Sequence, residues 1–137
     1  MTSSHTKTKV PRSAGMLFPV FSMRRDGDIG IGDTTAVKQT IDWVKQSGVG
    51  FLQLLPINVS GSDNSPYSAI SSVALDFIYL DMQQIPELTQ DDIDTVRQEF
   101  SGEWLTAESV DYKMVRKVKS VLLRQAYEIP ARPFKRR

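Results

Sequence analysis

In this chain, carboxylates are the main side chains left to move a proton or attack a carbon. Sixteen Asp and Glu stand against one histidine, His5, and no cysteine. A Ser-His-Asp or Cys-His arrangement would have to draw its base from the polar stretch at residues 1–12, whereas such triads orient the imidazole through a buried partner. The lack of cysteine removes thiolate nucleophiles, disulfides and cysteine zinc sites. Acid–base or nucleophilic work falls to Asp and Glu.

Three groups of residues could carry a ligand. Asp26, Asp28 and Asp33 offer oxygen ligands to a hard cation, but they lack the twelve-residue loop closed by a bidentate glutamate, and Arg24 and Arg25 oppose their charge. No metal site is expected. Glycines at 27, 30 and 32 suggest a phosphate-binding loop, yet neither G-x-G-x-x-G after a strand nor Gly-Lys-Ser/Thr is present. Turn formation before a helix accounts for them. Tyr67, in Asn64-Ser65-Pro66-Tyr67, is set on a polar loop by the preceding proline and offers an apolar ring face with a hydroxyl. That combination suits the C–H face and hydroxyl rim of a sugar, and equally a ring folded back onto the core.

These residues need a scaffold. Residues 14–18 form a short apolar run stopped by Pro19, and residues 50–55 another stopped by Pro56, each the length of a buried strand. Between them Asp33 or Thr34 can cap a helix in which Val37, Ile41 and Val44 recur at helical spacing, ended at Gly48 where a positive φ is wanted. Strand, loop, helix, turn and strand make a βαβ unit with parallel strands and a right-handed crossover. A long polar loop follows at residues 58–72, with Tyr67 at its centre, where α/β folds place ligand sites. Residues 77–82 alternate as a third extended piece. Thr89 opens a short helix carrying Ile93, Val96 and Phe100. Asp111 opens a longer one, with Val115, Val118, Leu122, Gln125 or Ala126, and Ile129 as its stripe and Pro130 at its end. On that helix Lys113, Arg116, Lys117, Lys119 and Arg124 read as a solvated face.

The chain has 137 residues, the size of one domain and about half of the ~250 a complete (β/α)₈ barrel needs. The composition, 40% hydrophobic and 24% charged, excludes a disordered or collagen-like class. No apolar run reaches the ~18 residues of a membrane span. Residues 1–12 contain no apolar h-region, so no secretory signal is expected and the cytoplasm is the expected location. The net charge of +1 hides basic ends: residues 13–129 hold ten basic against sixteen acidic side chains. Short basic ends read as solvated tails, and no aromatics alternate with them to stack bases, so neither a nucleic-acid nor a membrane partner is expected.

Taken as an ordered series, Arg12-Ser-Ala-Gly-Met-Leu-Phe18, Gly30-Ile-Gly-Asp33, Asp42-Trp43, Phe51-Leu-Gln-Leu-Leu-Pro56, Asn64-Ser-Pro-Tyr67, Ile70-Ser-Ser-Val-Ala-Leu-Asp76 and Val110-Asp-Tyr-Lys-Met-Val115 resemble the N-terminal part of the 4-alpha-glucanotransferases, the amylomaltases or disproportionating enzymes. The resemblance implies a partial (β/α)₈ TIM barrel of the alpha-amylase type, supplying the first βαβ unit plus the following loop and helices. Residues 13–129 would be the N-terminal part of the catalytic barrel, and residues 1–12 and 130–137 basic tails.

The family moves a segment of α-1,4-glucan to a sugar 4-hydroxyl through a covalent glycosyl-aspartate, a retaining double displacement whose two carboxyls stand ~5 to 5.5 Å apart. Its catalytic carboxylates come from later strands, so no catalytic residue is expected here, and Asp76 and Asp81 are not candidates. Tyr67 and its neighbour Ser65 match the family's substrate-binding motif; Asp33 is a helix cap first. Donor and acceptor would be α-1,4-glucans or maltooligosaccharides, with no cofactor, and the rest of the barrel is an expected partner. Two departures stand out. The loop at residues 19–28 differs from the commoner family loop, and Pro130 stops a helix that the family continues, as in a truncated or frame-shifted reading. The alternative from another class is a non-catalytic α/β module binding carbohydrate or protein.

Overall fold

The structure, a computed structural model, describes residues 12–129. His5, most of the two basic tails and Pro130 lie outside the described residues.

Strand β1 (Gly15–Phe18) pairs in parallel with β2 (Phe51–Leu54), Gly15 opposite Phe51 and Phe18 opposite Leu54. Helix α1 (Thr34–Gln46) makes the crossover. It starts where expected: the Asp33 carboxylate accepts from the amides of Thr35 and Ala36 at 3.0 and 2.9 Å, filling two of the orphan donors at a helix start. It stops at Gly48, whose φ of 71° is costly for any residue with a Cβ.

The strands are less covered than their apolar runs suggest. Gly15, Leu17, Phe51 and Gln53 share an exposed face, while Met16, Phe18, Leu52 and Leu54 are half-buried. A run of this length cannot distinguish a strand covered on both faces from one covered on one, since only the neighbouring layers decide that. The α1 stripe is likewise half used: Ala36 and Val44 are buried, whereas Ile41 and Trp43 are about half exposed.

The alternating segment at residues 77–82 is not a strand. It forms two 3-10 turns, Phe77–Tyr79 and Met82–Gln84, because Asp76 and Asp81 turn back to accept the amides of Ile78 and Gln83. Adjacent residues Ile78 and Tyr79 are both buried, so the in–out alternation expected of a strand with one covered face is absent.

Helix α2 (Gln90–Glu99) has a capping box, Thr89 and Asp92 each accepting the other's backbone amide, as the Thr89 start suggests. The Asp111 carboxylate caps α3 (Tyr112–Glu128) at the Met114 amide. Two apolar clusters lie beneath α3: one joins Val118, Leu122 and Ala126 to Ile93, Val96 and Met82, the other Val115 to Val20, Ile31 and Ile78. Trp104 touches both and donates its indole N–H to Phe100 O at 2.8 Å.

Lys119 overturns the reading of α3's basic side chains as one solvated face. It is 1% exposed, and its Nζ donates to the carbonyls of Ile78 and Leu80. Its position shows why: four residues after Val115 and three before Leu122, it falls on the apolar stripe itself. Lys113, Lys117 and Arg124 are exposed.

Candidate functional site

In parallel α/β architecture, ligands meet the loops at the carboxyl ends of the strands. Two such loops leave β1 and β2. The first, residues 19–33, is built around charge. Arg24 grips Asp28 through Nε and Nη2 at 2.7 and 2.9 Å and reaches the carbonyls of Leu105 and Ala107 between α2 and α3. Asp28 also accepts the amides of Arg25 and Gly30. Arg25 bridges two buried carboxylates, Asp33 at 2.8 Å and Asp81 at 2.9 Å. The hydrogen bond to Asp33, above all, holds the Arg25 guanidinium above its ordinary pKa, with burial acting against it.

Asp26, Asp28 and Asp33, weighed above as oxygen ligands and set aside, do not converge. Asp28 and Asp33 belong to separate arginine pairs, and Asp26 is exposed apart from them. Gly32 is required by proximity, because a Cβ there would stand 1.9 Å from the Val20 carbonyl oxygen. Lys119 lies under this loop, its pKa pushed down to about 8 by burial despite the raising influence of Asp33, Asp81 and Asp28. This network is the feature sequence reasoning missed. Its signal was the alternation of Arg24-Arg25 with Asp26 and Asp28 and the lysine on an apolar stripe.

The second loop leaves β2 and returns at Asp76. It is tied to itself: Asn58 pairs with Leu75 and Ser60 with Ala69, both antiparallel, and Ile70 N donates to Val59 O at 2.8 Å. At its tip Asn64 takes a left-handed φ of 53°, Ser68 N donates to Ser65 O at 3.0 Å, and Tyr67 N donates to Ser65 Oγ at 3.3 Å. Asp63 accepts the Ser65 amide, and its carboxyl lies below its ordinary pKa, chiefly through the Ser68 hydroxyl. Ser65 is thereby a half-buried hinge of the turn, and Tyr67 projects with 76% of its surface exposed. The two residues of the Asn-Ser-Pro-Tyr motif are brought together, with different burial.

Beside these loops, a groove of about 620 Å³ runs between Phe21, Ser22 and Arg24 on one wall and Glu108, Ser109 and Tyr112 on the other. Phe21 and Tyr112 meet edge-on, centroids 6.5 Å apart. Burial raises the Tyr112 pKa, so the hydroxyl stays protonated near neutrality. A second cleft of about 570 Å³ separates Asn64 from Trp104, Tyr112 and Lys113. Neither is lined by Ser65 or Tyr67.

Parallel neighbouring strands joined by a helical crossover, with long loops at their carboxyl ends, are the βαβ unit from which α/β barrels and open α/β sheets are both built. The comparisons with known proteins select the barrel. A family model described as 4-alpha-glucanotransferase matches residues 18–137. The chain belongs to the 4-alpha-glucanotransferase family. It is 34% identical over 116 residues to a 4-alpha-glucanotransferase of Chlamydia pneumoniae, covering 83% of this chain and 22% of that protein. With 4-alpha-glucanotransferase DPE2 of Oryza sativa subsp. japonica it shares 35% identity over 124 residues, 86% of this chain and 13% of that one. An amylomaltase from Streptococcus agalactiae, solved in complex with acarbose, superposes with a TM-score of 0.72 at 24% identity, over 86% of this chain and 23% of that one. The chain thus spans less than a quarter of the length of these relatives, and its fold is a partial barrel.

Proposed function

We propose that these residues are the N-terminal part of a 4-alpha-glucanotransferase that passes segments of α-1,4-glucan to a sugar 4-hydroxyl by a retaining double displacement. The family match across residues 18–137 carries this reading. Donor and acceptor are maltooligosaccharides or longer α-1,4-glucans, no cofactor takes part, and the reaction runs in the cytoplasm, which fractionation with an antibody to this chain tests.

The nucleophile and acid/base belong to parts of the family's barrel outside these residues. A retaining pair needs two carboxyls facing the sugar, one able to hold a proton. The buried aspartates here are committed elsewhere: Asp28, Asp33, Asp76 and Asp81 each face an arginine. What this chain contributes is a wall of the cleft. Tyr67 stacks on a glucose ring and presents its hydroxyl to the rim, and Ser65 holds the turn that aims it.

Two measurements on the purified 137-residue chain test this. Incubation with maltotriose should release no glucose and form no longer maltodextrins; turnover would show that reacting carboxylates are present after all. Titration with maltoheptaose should show binding that Tyr67→Ala weakens about tenfold, the scale of one lost aromatic contact. Equal binding by both would remove Tyr67 from the sugar site.

A further inference from the structure

The loop carrying Ser65 and Tyr67 has no core of its own. From residue 55 to residue 75 no side chain is fully buried, and Ile70 and Val73 stand 74% and 89% exposed. Its direction must therefore be set where it joins the body of the protein.

That neck is specific. Asp76 N donates to Ile57 O at 3.0 Å and Val59 N to Ala74 O at 3.1 Å, closing the loop at its base. The Asp76 carboxylate, wholly buried, receives Nη1 and Nη2 of Arg116 at 3.1 and 2.7 Å and the Ile78 amide at 3.2 Å. Arg116 extends from α3 across the Phe77 ring, 5.9 Å from its centroid. The α3 turn that carries it cannot drift, because Val115 is in the core and Lys119 holds the Ile78 and Leu80 carbonyls. A planar fork on a carboxylate fixes both distance and angle, which a point charge does not.

We propose that the Arg116–Asp76 fork is a positioning pair for substrate: it sets the angle at which the loop after β2 leaves the protein and so aims Tyr67. The pair touches no sugar. The proposal rests on the reading of Tyr67 as a sugar-facing residue, and its test separates the two.

The test is residue-resolved hydrogen exchange, with maltoheptaose titration, on the whole 137-residue chain. In Arg116→Met the amides of Val59, Ile70 and Asp76 should be accelerated at least about tenfold more than those of Val118 and Leu122 in α3, which report only the global loss of stability that an unpaired Asp76 brings. Affinity for maltoheptaose should fall about tenfold with Tyr67 intact. Asp76→Asn should change both readouts in the same direction, and Arg116→Lys, which keeps the charge without the fork, should recover part of each. Unchanged loop amides overturn the proposal, and so does a uniform acceleration that includes Val118 and Leu122, the mark of global destabilisation. If Arg116→Met does not fold, the lysine variant decides: wild-type loop exchange and affinity in it overturn the role of the fork. Absence of sugar binding by the wild type overturns the reading of Tyr67 alone, and the exchange pattern still decides for or against the pair.

Discussion

The two loops that leave the carboxyl ends of β1 and β2 are held in opposite ways. Residues 19–33 are sunk into the protein: Val20, Met23, Ile29 and Ile31 are buried, and Asp28 and Asp33 are neutralised by Arg24 and Arg25. The loop at residues 55–75 holds itself by backbone bonds and points Tyr67, Ile70 and Val73 outward. Burial of the first joins the start of α1, the turns at 77–84 and α3 into one body. Exposure of the second leaves its side chains free to meet something else. One loop is a foundation and the other a presenting surface.

The sharpest way to break that contrast is to remove a buried charge from the foundation. Arg25→Met leaves Asp33 and Asp81 facing each other without their shared cation. Loss of one partner from a buried ion pair costs about 3–5 kcal/mol, so urea unfolding should show a loss of that order. Tyr67→Ala in the presenting loop should change stability by no more than about 0.5 kcal/mol. Similar losses in the two variants would mean that the second loop is also part of the foundation.

An isoleucine in each loop gives a second pairing. Ile31 is wholly buried and Ile70 is 74% exposed. Truncating a buried isoleucine to alanine removes its transfer energy and opens a cavity, about 2–5 kcal/mol. Ile31→Ala should fall in that range, and Ile70→Ala within about 0.5 kcal/mol of wild type, by the same unfolding measurement.

How much of this was legible beforehand follows from the range of the interactions. Asp33 capping α1, Thr89 opening α2, Asp111 opening α3 and the parallel pairing of β1 with β2 all rest on spacings within about a turn or on one crossover, and the structure has each of them. The 3-10 turns at 77–84 were hidden because an Asp accepting its neighbour's amide competes with an extended segment, and pattern alone does not rank the two. The ion network was hidden for a different reason. Arg25 meets Asp81 and Arg116 meets Asp76 across 56 and 40 residues of chain, distances no local pattern spans. At the candidate site, Ser65 and Tyr67 were named by motif, but the fork that ties their loop to α3 was not.

Lys119 sharpens the comparison most finely, because it carries charge beneath the first loop and touches nothing of the second loop's tip. Its folded pKa is pushed down to about 8 by burial, against 10.5 when unfolded. Between those values the unfolded chain binds more protons than the folded one, so stability rises with pH; below about 8 both forms are protonated and the gain is absent. Linkage gives about 1 kcal/mol between pH 7 and 9. Tyr79 acts with the opposite sign at higher pH. Burial raises its folded pKa to about 12, above the unfolded 10.0, so its contribution is complete below pH 10 and is lost as the pH climbs toward 12. Urea midpoints should therefore rise from pH 8 to about 10 and then fall, and Lys119→Met should abolish the rise while keeping the fall. A wild-type midpoint that declines steadily from pH 8 would mean that the ammonium gains more from Asp28, Asp33 and Asp81 than burial takes from it, and that the first loop is held chiefly by charge.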